Sequence, residues 1–285
     1  MNSGIVIIHK EKGDTSQNVV SKLKRKLGIQ KAGHIGTLDP LATGVLPILV
    51  GDATKLSKYL MEHDKTYIAT IQLGQKTDTG DEEGKLIEEA EVNCLDEEMV
   101  RKCLLEMQGK QTQIPPLYSA IKVQGKKLYE YARAGEKIEI PPRNIEIYAI
   151  QLLQIRKPEK QVTFEVSCSK GTYIRVLCED IAKRLGTIGY MKYLQRTAVE
   201  EFSIQQAVKL ENVSGENIIS AETICQKYSL IELDDRKLEL FLNGVKLTTK
   251  GKDGVYRVYH QEKFIGIGVV QNALLKRDVI IRNFS

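Results

Sequence analysis

The chain has 285 residues, of which 42% are hydrophobic and 28% are charged, and its formal net charge is +5 at pH 7. These are the values of an ordinary globular protein, and they exclude a disordered or fibrous chain. The length predicts about two domains. The first residues offer only Ile5 to Ile8 as an apolar run, too short for a signal-peptide core.

No apolar run approaches the ~20 residues that a membrane span needs, so we expect no contact with a membrane. The five cysteines form no C-x-x-C pair, and together with four scattered histidines they give no zinc signature. The sequence therefore predicts free thiols, no metal site and a cytoplasmic location.

The first half of the chain contains both predicted strands and predicted helices. Hydrophobic periodicity and capping residues predict a strand at 4–9, a helix at 16–27 with Ser16 as its N-cap, a short helix capped by Asp52, a period-2 strand at 65–73, and a helix capped by Asp96. A glycine-rich segment at 28–51 interrupts this regular structure. A polar stretch between Pro115 and Pro142, with a helix near 127–134, is typical of a functional loop.

In the second half of the chain, hydrophobic periodicity predicts strands at residues 145–155 and 161–167 and a helix at residues 172–185. It also predicts short helices at residues 203–208 and 218–227. From residue 230 onward, short strands with glycine turns predict a small all-β unit. Because the strands and helices show no regular βαβ alternation, the fold class is α+β. The predicted domains are 1–229, with an insertion at about 115–142, and 230–285.

Charge is distributed unevenly along the chain. Residues 1–35 hold seven basic side chains against two acidic ones, and residues 122–143 hold six against three. Residues 76–98 hold ten acidic side chains against two basic ones. Such blocks indicate a face that binds a polyanion, although solvated helix faces explain the charge equally well.

The segment 33–47 is the densest in glycine and proline, with three glycines and two prolines in fifteen residues. These residues predict a non-repetitive backbone. Asp39 is its one carboxylate and lies among aliphatic side chains, so we expect a desolvated acid with a cation held close to it. The alternative is an Asp-Pro turn in which Asp39 bonds its own backbone.

Residues 33–46, Gly-His-Ile-Gly-Thr-Leu-Asp-Pro-Leu-Ala-Thr-Gly-Val-Leu, resemble the active-site motif of the TruB family of pseudouridine synthases. Four further stretches resemble the family in the same order: Lys65-Thr66-Tyr67, the segment 115–122, the segment 171–177, and Tyr193-Leu194-Gln195-Arg196. The resemblance is strong from residue 4 to about residue 200. In the first motif, His9 and Glu11 replace the family's Asp and Pro, whereas Lys10 remains.

The resemblance implies a pseudouridine synthase fold with a mixed antiparallel sheet, an RNA-gripping insertion and a C-terminal module of PUA type. It also implies an isomerase that breaks the C1′–N1 bond of a uridine and rejoins the uracil through C5. Such a reaction needs no cofactor. Glycosidic chemistry commonly uses carboxylates, and Asp39 is the implied nucleophile, either attacking C1′ or removing the 2′ proton.

The resemblance assigns further roles within the site. Arg175 would pair with Asp39, its planar fork suiting a carboxylate; without the family it could be a surface cation. Tyr67 would stack on the flipped uracil, or else be a core aromatic. The implied substrate-binding residues are His34, which would fill the gap left by the flipped base, Tyr173, Leu194 and Lys10.

The basic side chains of the insertion would clamp phosphates of a folded RNA, namely Lys122, Lys126, Lys127, Arg133 and Lys137. The residues Lys22, Lys24, Arg25 and Lys26 could extend this surface or form a solvated helix face. The family implies the T-loop uridine of tRNA, position 55, as the target. We expect a monomer that needs no guide RNA and no protein partner.

Two rivals stay open: a related synthase that acts on another RNA uridine, including the guide-dependent kind, and an RNA chaperone that folds tRNA without chemistry. A glycoside hydrolase is disfavoured, since it usually needs two carboxylates and the matched motifs hold no second one.

Overall fold

The computed structural model describes residues 3–60, 64–92, 95–119, 121–136 and 138–282. The strands, numbered in chain order, are β1 (Gly4–Lys10), β2 (Ala32–His34), β3 (Thr43–Val50), β4 (Lys65–Leu73), β5 (Gln75–Thr77), β6 (Leu86–Glu89), β7 (Gly109–Gln113), β8 (Lys122–Val123), β9 (Lys126–Lys127), β10 (Arg143–Arg156), β11 (Gln161–Cys168), β12 (Gly189–Val199), β13 (Phe202–Ser203), β14 (Val208–Lys209), β15 (Ile219–Ser220), β16 (Ser229–Glu232), β17 (Leu247–Thr248), β18 (Gly254–His260), β19 (Lys263–Gln271) and β20 (Leu274–Ile280).

The α-helices are α1 (Ser16–Leu27), α2 (Glu97–Leu105), α3 (Leu128–Ala134), α4 (Ile174–Arg184) and α5 (Asp235–Leu242). Short 3-10 helices cover Gly51–Tyr59, Ile204–Gln206, Leu210–Asn212, Gly215–Asn217 and Thr223–Cys225. In the part of the chain that the structure describes, no helix is long and apolar enough to cross a membrane.

A mixed sheet organises the larger part of the molecule. Its main path runs β14-β1-β3-β12-β4-β11-β10-β7, and β2, β13 and β15 pair alongside it. Most neighbours are antiparallel, whereas β12 is parallel to β3 and β14 is parallel to β1. The apolar faces of α1, α2 and α4 belong to the same buried cluster as the sheet residues. The predicted α+β class is therefore confirmed.

The second sheet has the order β16-β18-β19-β20-β17 and occupies the C-terminal part of the chain. The expected all-β unit also contains α5, whose Phe241 is fully buried against this sheet. A second hydrophobic cluster joins the two parts: Ile35 and Val45 share it with Phe264 and Ile267 of β19. The C-terminal sheet thus packs against the hairpin of β2 and β3 through this shared cluster. The division of the chain at residue 229 stays a prediction.

Patterns that depend on neighbouring residues are confirmed. The period-2 strand is β4, with Tyr67, Ala69, Ile71 and Leu73 buried. Asp96 caps α2 by accepting from the backbone N–H of Met99 at 3.0 Å. The predicted strands at 145–155 and 161–167 are β10 and β11, and the predicted helix at 172–185 is α4.

Two predicted caps are wrong. Thr15 caps α1 by accepting from Asn18, because Ser16 is turned inward, where its hydroxyl bonds Leu38 instead. Asp52 does not cap the 3-10 helix that follows β3, because its carboxylate is bound to Lys55 and to the backbone N–H of Arg282.

Other errors arise where pairing decides the structure. The sequence did not predict β12, although this strand lies at the centre of the large sheet between β3 and β4. The predicted helix at 203–208 is reduced to one 3-10 turn beside short strands. The predicted helix at 218–227 is replaced by β15 and a 3-10 turn, because Ile219 pairs with Ile5 of β1.

Candidate active site

Asp39 lies in the connection between β2 and β3, which the sequence singled out for its glycines and prolines. Two glycines have left-handed backbones: Gly36 in this connection, with φ of 81°, and Gly44 at the start of β3, with φ of 102°. A Cβ at Gly44 would lie 2.2 Å from the carbonyl oxygen of Arg196, so only glycine fits between the paired strands β3 and β12. We call residues 35–42 the Asp39 loop.

Polar side chains of β1 and α1 form hydrogen bonds with the backbone of the Asp39 loop. The hydroxyl of Ser16 accepts from the N–H of Leu38 at 2.9 Å and donates to its carbonyl at 3.0 Å. The ammonium of Lys10 donates to the carbonyls of Pro40 at 3.0 Å and Ala42 at 2.6 Å. Burial of this ammonium lowers the pKa of Lys10 to about 8.

Arg196 holds the same loop from the side of β12. Its fully buried guanidinium donates to the carbonyls of Val45 at 2.8 Å, Gly36 at 3.0 Å and Thr37 at 3.4 Å. It also donates to the hydroxyl of Tyr67. Burial raises the pKa of that hydroxyl to about 12. Arg196 therefore links the Asp39 loop to the strand that carries Tyr67. The sequence analysis assigned this arginine no role.

Arg175 is shared by two carboxylates. Its Nη2 lies 3.1 Å from Oδ2 of Asp39, and its Nη1 lies 3.3 Å from Oδ2 of Asp81. The carbonyls of Tyr118 and Thr79 accept further bonds from the same guanidinium, at 2.9 and 3.3 Å. The structure thus places at Asp39 the cation that the sequence analysis expected there.

Asp81 is a site residue that the sequence analysis missed. Its side chain is 6% exposed, and its Oδ1 accepts from the Thr79 hydroxyl at 2.6 Å and from the Glu83 N–H at 3.2 Å. No sequence pattern distinguishes this acid from its neighbours, because it lies within the block of ten acidic residues at 76–98.

The expected desolvation of Asp39 is wrong for the free protein. Its side chain is 40% exposed, compared with 8% for Arg175. The aliphatic neighbours in sequence are packed into buried clusters: Ile35 and Val45 into the second cluster, and Leu38 and Leu41 into the main core. The carboxylate is therefore left facing an open cavity.

That cavity measures about 430 Å³ and brings residues from six segments together. It is lined by Thr37, Leu38, Asp39, Tyr67, Ser119, Ile121, Lys122, Arg143, Thr172, Tyr173, Ile174, Arg175, Met191 and Leu194. Of the predicted site residues, Asp39, Arg175, Tyr67, Tyr173, Leu194 and Lys122 meet here. An acid, its cation, two aromatic rings and aliphatic side chains make a site for a planar polar ligand.

Tyr173 is held at the cavity by Gln113, another residue without a sequence signal. The Gln113 amide accepts from the N–H of Tyr173 at 3.0 Å and donates to its carbonyl at 3.4 Å. Gln113 is 2% exposed at the end of β7. Burial raises the pKa of the Tyr173 phenol.

Two predicted substrate-binding residues lie outside the lining of this cavity. Lys10 is 1% exposed beneath the Asp39 loop, so we reassign it from binding substrate to positioning that loop. His34 lies on β2. Burial lowers the pKa of its imidazole, and the positive charge of Arg196 lowers it further to a smaller extent. Its Nδ1 is buried and has no hydrogen-bond partner among the described residues.

The insertion carries its basic residues on a hairpin, β8 and β9, followed by α3. Lys122 lines the cavity, whereas Lys126 pairs with Glu136 at 3.0 Å and Lys127 bonds the Tyr129 hydroxyl at 3.1 Å. Arg133 lies on α3 with its side chain outside the described part, and Lys137 lies outside the described residues.

The basic residues of α1 make local contacts in this structure. Lys22 pairs with Asp14, and Lys26 donates to the carbonyl of Glu211. Within the described ranges, no group of three His, Cys, Asp or Glu side chains could hold a metal ion.

Comparison with protein families gives three matches along the chain. The model of the TruB family pseudouridylate synthase N-terminal domain matches residues 24–174, that of the tRNA pseudouridylate synthase B C-terminal domain matches 175–236, and that of the pseudouridine synthase II TruB C-terminal domain matches 230–276. The fold, the cavity and these matches define one class of enzyme, the pseudouridine synthases.

Similar proteins include "tRNA pseudouridine synthase B" of Clostridium tetani, which is 43% identical over 276 residues, covering 93% of this chain and 95% of that protein. The protein of the same name from Aquifex aeolicus is 40% identical over 281 residues, covering 95% of this chain and 97% of that one. The chain belongs to the TruB family.

Solved structures with the same fold are more distant in sequence. A chain from the "Crystal Structure of a Cbf5-Nop10-Gar1 Complex" superposes with a TM-score of 0.69 at 22% identity, covering 98% of this chain and 83% of that one. A chain from the "Structure of H/ACA RNP bound to a substrate RNA containing 2'-deoxyuridine" has the same TM-score at 21% identity, covering 99% of this chain and 86% of that one.

Proposed function

We propose that this protein isomerises a uridine of tRNA to pseudouridine, at position 55 in the T loop. The names of its relatives and its membership of the TruB family support tRNA as the substrate. The observation that carries the proposal is the pair of Asp39 and Arg175, 3.1 Å apart, at a cavity large enough for one nucleoside.

A base that is stacked or paired in RNA cannot reach Asp39, so the target nucleotide must first leave its stack. In the cavity, the uracil would lie against the ring of Tyr67, with Tyr173 and Leu194 completing the pocket. Base stacking on an aromatic side chain contributes about 1–3 kcal/mol, enough to offset the unstacking of one nucleotide. His34, on β2, would occupy the gap in the RNA.

Asp39 is the proposed catalytic residue. The C1′–N1 bond breaks, the uracil turns, and a C1′–C5 bond forms; C5 loses its proton and N1 gains one, so atoms balance without a co-reactant. The carboxylate either attacks C1′ as a nucleophile or removes the 2′ proton. Its exposure in the free protein leaves an open approach to the sugar, and the bound nucleotide would complete its desolvation.

Arg175 would act by orienting this carboxylate, and Asp81 by fixing the guanidinium. Asp81 is the second carboxylate that the sequence motifs lacked, but its oxygens are engaged by Arg175, Thr79 and the Glu83 N–H. An acid so engaged is unsuited to activating a water molecule. The geometry therefore favours an isomerase over a glycoside hydrolase.

The insertion would hold the T arm through Lys122, Lys126, Lys127 and Arg133, with phosphate contacts that position the RNA without reading its sequence. A monomer that acts without guide RNA or protein partner, in the cytoplasm where tRNA matures, is part of the same proposal. The structures named above as complexes share the fold at 21–22% identity, which says nothing about the partners of this chain.

The test is an assay of Asp39→Asn on an unmodified T-arm stem-loop without any other macromolecule. We expect wild type to form pseudouridine, and the variant to lose activity at least 10³-fold while its Kd for the RNA changes by less than about threefold, since the substitution keeps size and removes charge. Asp235→Asn, an exposed aspartate of α5, is the control and should keep full activity.

Each rival makes a different prediction. A chaperone would show no product with wild type and equal RNA folding by both variants. A guide-dependent enzyme would leave the isolated stem-loop unmodified until a guide RNA is added.

A further inference from the structure

Two basic side chains at the rim of the cavity beside Asp39 are left without a partner in the part of the chain that the structure describes. Lys122 of β8 and Arg143, the first residue of β10, both line the cavity and are exposed to solvent. Within the described part of the chain, neither side chain makes an ion pair or a hydrogen bond. Arg143 was not singled out by the sequence analysis, because it stands between a proline pair and a strand with no recognisable motif.

The other cations around the site are engaged. Arg175 binds two carboxylates and two carbonyls. Arg196 and Lys10 are buried and bind carbonyls of the Asp39 loop and its flanks. Among the cations that line this cavity, Lys122 and Arg143 are therefore the two that can meet an anionic part of a ligand.

The backbone of Arg143 has a fixed place relative to the base pocket. It is paired in register with Gln113 of β7, and the Gln113 amide clamps the backbone of Tyr173. The charge of Arg143 is felt at the phenol of Tyr173, where it partly offsets the rise in pKa that burial causes. Arg143 thus lies on the strand that pairs with β7, and β7 carries the glutamine that orients one wall of the pocket.

The chemistry of the substrate identifies the anion. Uracil and ribose are neutral, and the charges of a flipped nucleotide are the phosphodiesters on its 5′ and 3′ sides. With the nucleoside inside the cavity, these groups stay at the rim. A planar guanidinium can bind phosphate oxygens with two parallel hydrogen bonds, which fixes direction as well as distance.

We propose that Arg143 binds one phosphodiester flanking the flipped uridine and thereby sets how the sugar is presented to Asp39. The proposal rests on the proposed function. Because the contact is to a phosphate, it positions the nucleotide and does not select the base. Arg143 is a binding and positioning residue, and the bond-breaking step stays with Asp39.

The test combines Arg143→Met with T-arm RNAs in which a single phosphate next to the target uridine is a neutral methylphosphonate. One RNA carries it on the 5′ side and the other on the 3′ side. Each RNA has a 2′-deoxynucleoside directly 5′ of the altered linkage for chemical stability. Each is compared with its own charged reference RNA, which carries the same deoxynucleoside. Equilibrium Kd values are measured for wild type, Arg143→Met and Lys122→Met on all four RNAs.

We expect one of the two neutral linkages to weaken binding by wild type about 10- to 100-fold, as the loss of a hydrogen-bonded charged contact should. The same linkage should change the Kd of Arg143→Met by less than twofold, because the partner is already missing. Which of the two linkages responds identifies the phosphate. The proposal would be overturned if each neutral linkage weakened binding by wild type and by Arg143→Met to the same extent. It would also be overturned if the weakening disappeared in Lys122→Met but not in Arg143→Met.

Arg156→Met is the matched control. Arg156 is the last residue of the same strand, β10. It is exposed, and its guanidinium donates a hydrogen bond to the side chain of Gln154. It should behave as wild type on every RNA. Natural RNA is assayed in parallel: pseudouridine formation by wild type tests the proposed function separately, since its absence would refute that function whatever the Kd values show.

Discussion

Oδ2 of Asp81 lies 3.3 Å from Nη1 of Arg175, while the other terminal nitrogen of the same guanidinium meets Asp39 at 3.1 Å. One nearly buried cation is thus shared between a buried carboxylate and an exposed one. The buried partner anchors the guanidinium, and the exposed partner is left free to meet a ligand.

We predict that Asp81→Asn lowers kcat at least tenfold with little change in KM. The amide keeps the shape of the carboxylate but not its charge, so Arg175 loses one of the two groups that orient it toward Asp39. Breaking a buried ion pair also destabilises the fold, by about 3–5 kcal/mol. Steady-state kinetics and urea unfolding measure the two effects.

Glu82→Gln serves as the comparison for Asp81→Asn. Glu82 is the next residue of the same turn, but its carboxylate is 30% exposed and pairs with Lys12 and Lys192. Surface pairs contribute about 0–1 kcal/mol. If both variants behave alike, Asp81 has no special part in the site.

We predict that Arg196→Lys reduces kcat more than 10²-fold. A lysine cannot make the set of bonds that the guanidinium makes to Val45, Gly36 and the Tyr67 hydroxyl, so the Asp39 loop and Tyr67 lose their common support. Buried carbonyls left without donors should cost about 1–3 kcal/mol each. Both quantities are measurable by single-turnover assays and denaturant unfolding. A variant with a rate within threefold of wild type would refute this role.

The low pKa of Lys10 predicts a pH effect on stability. Its pKa is about 8 in the folded protein and 10.5 as the ordinary value, so between these pH values the unfolded chain binds more protons. Stability then rises with pH across this window, by up to about 3 kcal/mol from this group at 1.36 kcal/mol per pKa unit. Wild type should gain stability relative to Lys10→Met from pH 8 to 10.5.

Salt separates the possible causes of this pH effect. Burial, rather than a neighbouring charge, is the main cause of the shift, so the gain should persist in 0.5 M salt, where surface charges are largely screened (about 4–5 Å screening length). A difference between wild type and Lys10→Met that is independent of pH would contradict the assignment.

The cluster that Ile35 and Val45 share with Phe264 and Ile267 predicts that the two sheets unfold together. Differential scanning calorimetry should show one transition. Phe264→Ala should lower the stability of the whole protein by about 3–5 kcal/mol. The exposed Leu230 of β16 is the control, and Leu230→Ala should cost less than about 0.5 kcal/mol. Two separate transitions, with only one shifted by Phe264→Ala, would contradict the prediction.

Local patterns in the sequence determined the elements that depend on near neighbours. The alternation in β4 and the cap at Asp96 each follow from residues a few positions apart, because pleat and helix turn are local properties. The motif around Asp39 likewise identified the loop that carries the proposed catalytic acid and the family to which the chain belongs.

Tertiary structure decided what surrounds that acid. Asp81 and Arg175 come from distant segments, and β12 becomes the central strand only because β3 and β4 accept it on either side. Periodicity shows which face of an element is buried but not which distant partner covers it. The commitment of Lys10 to loop carbonyls, the exposure of Asp39 and the uncommitted charge of Arg143 therefore follow from the packed chain alone, since burial and ion pairing are set by the groups that folding brings together.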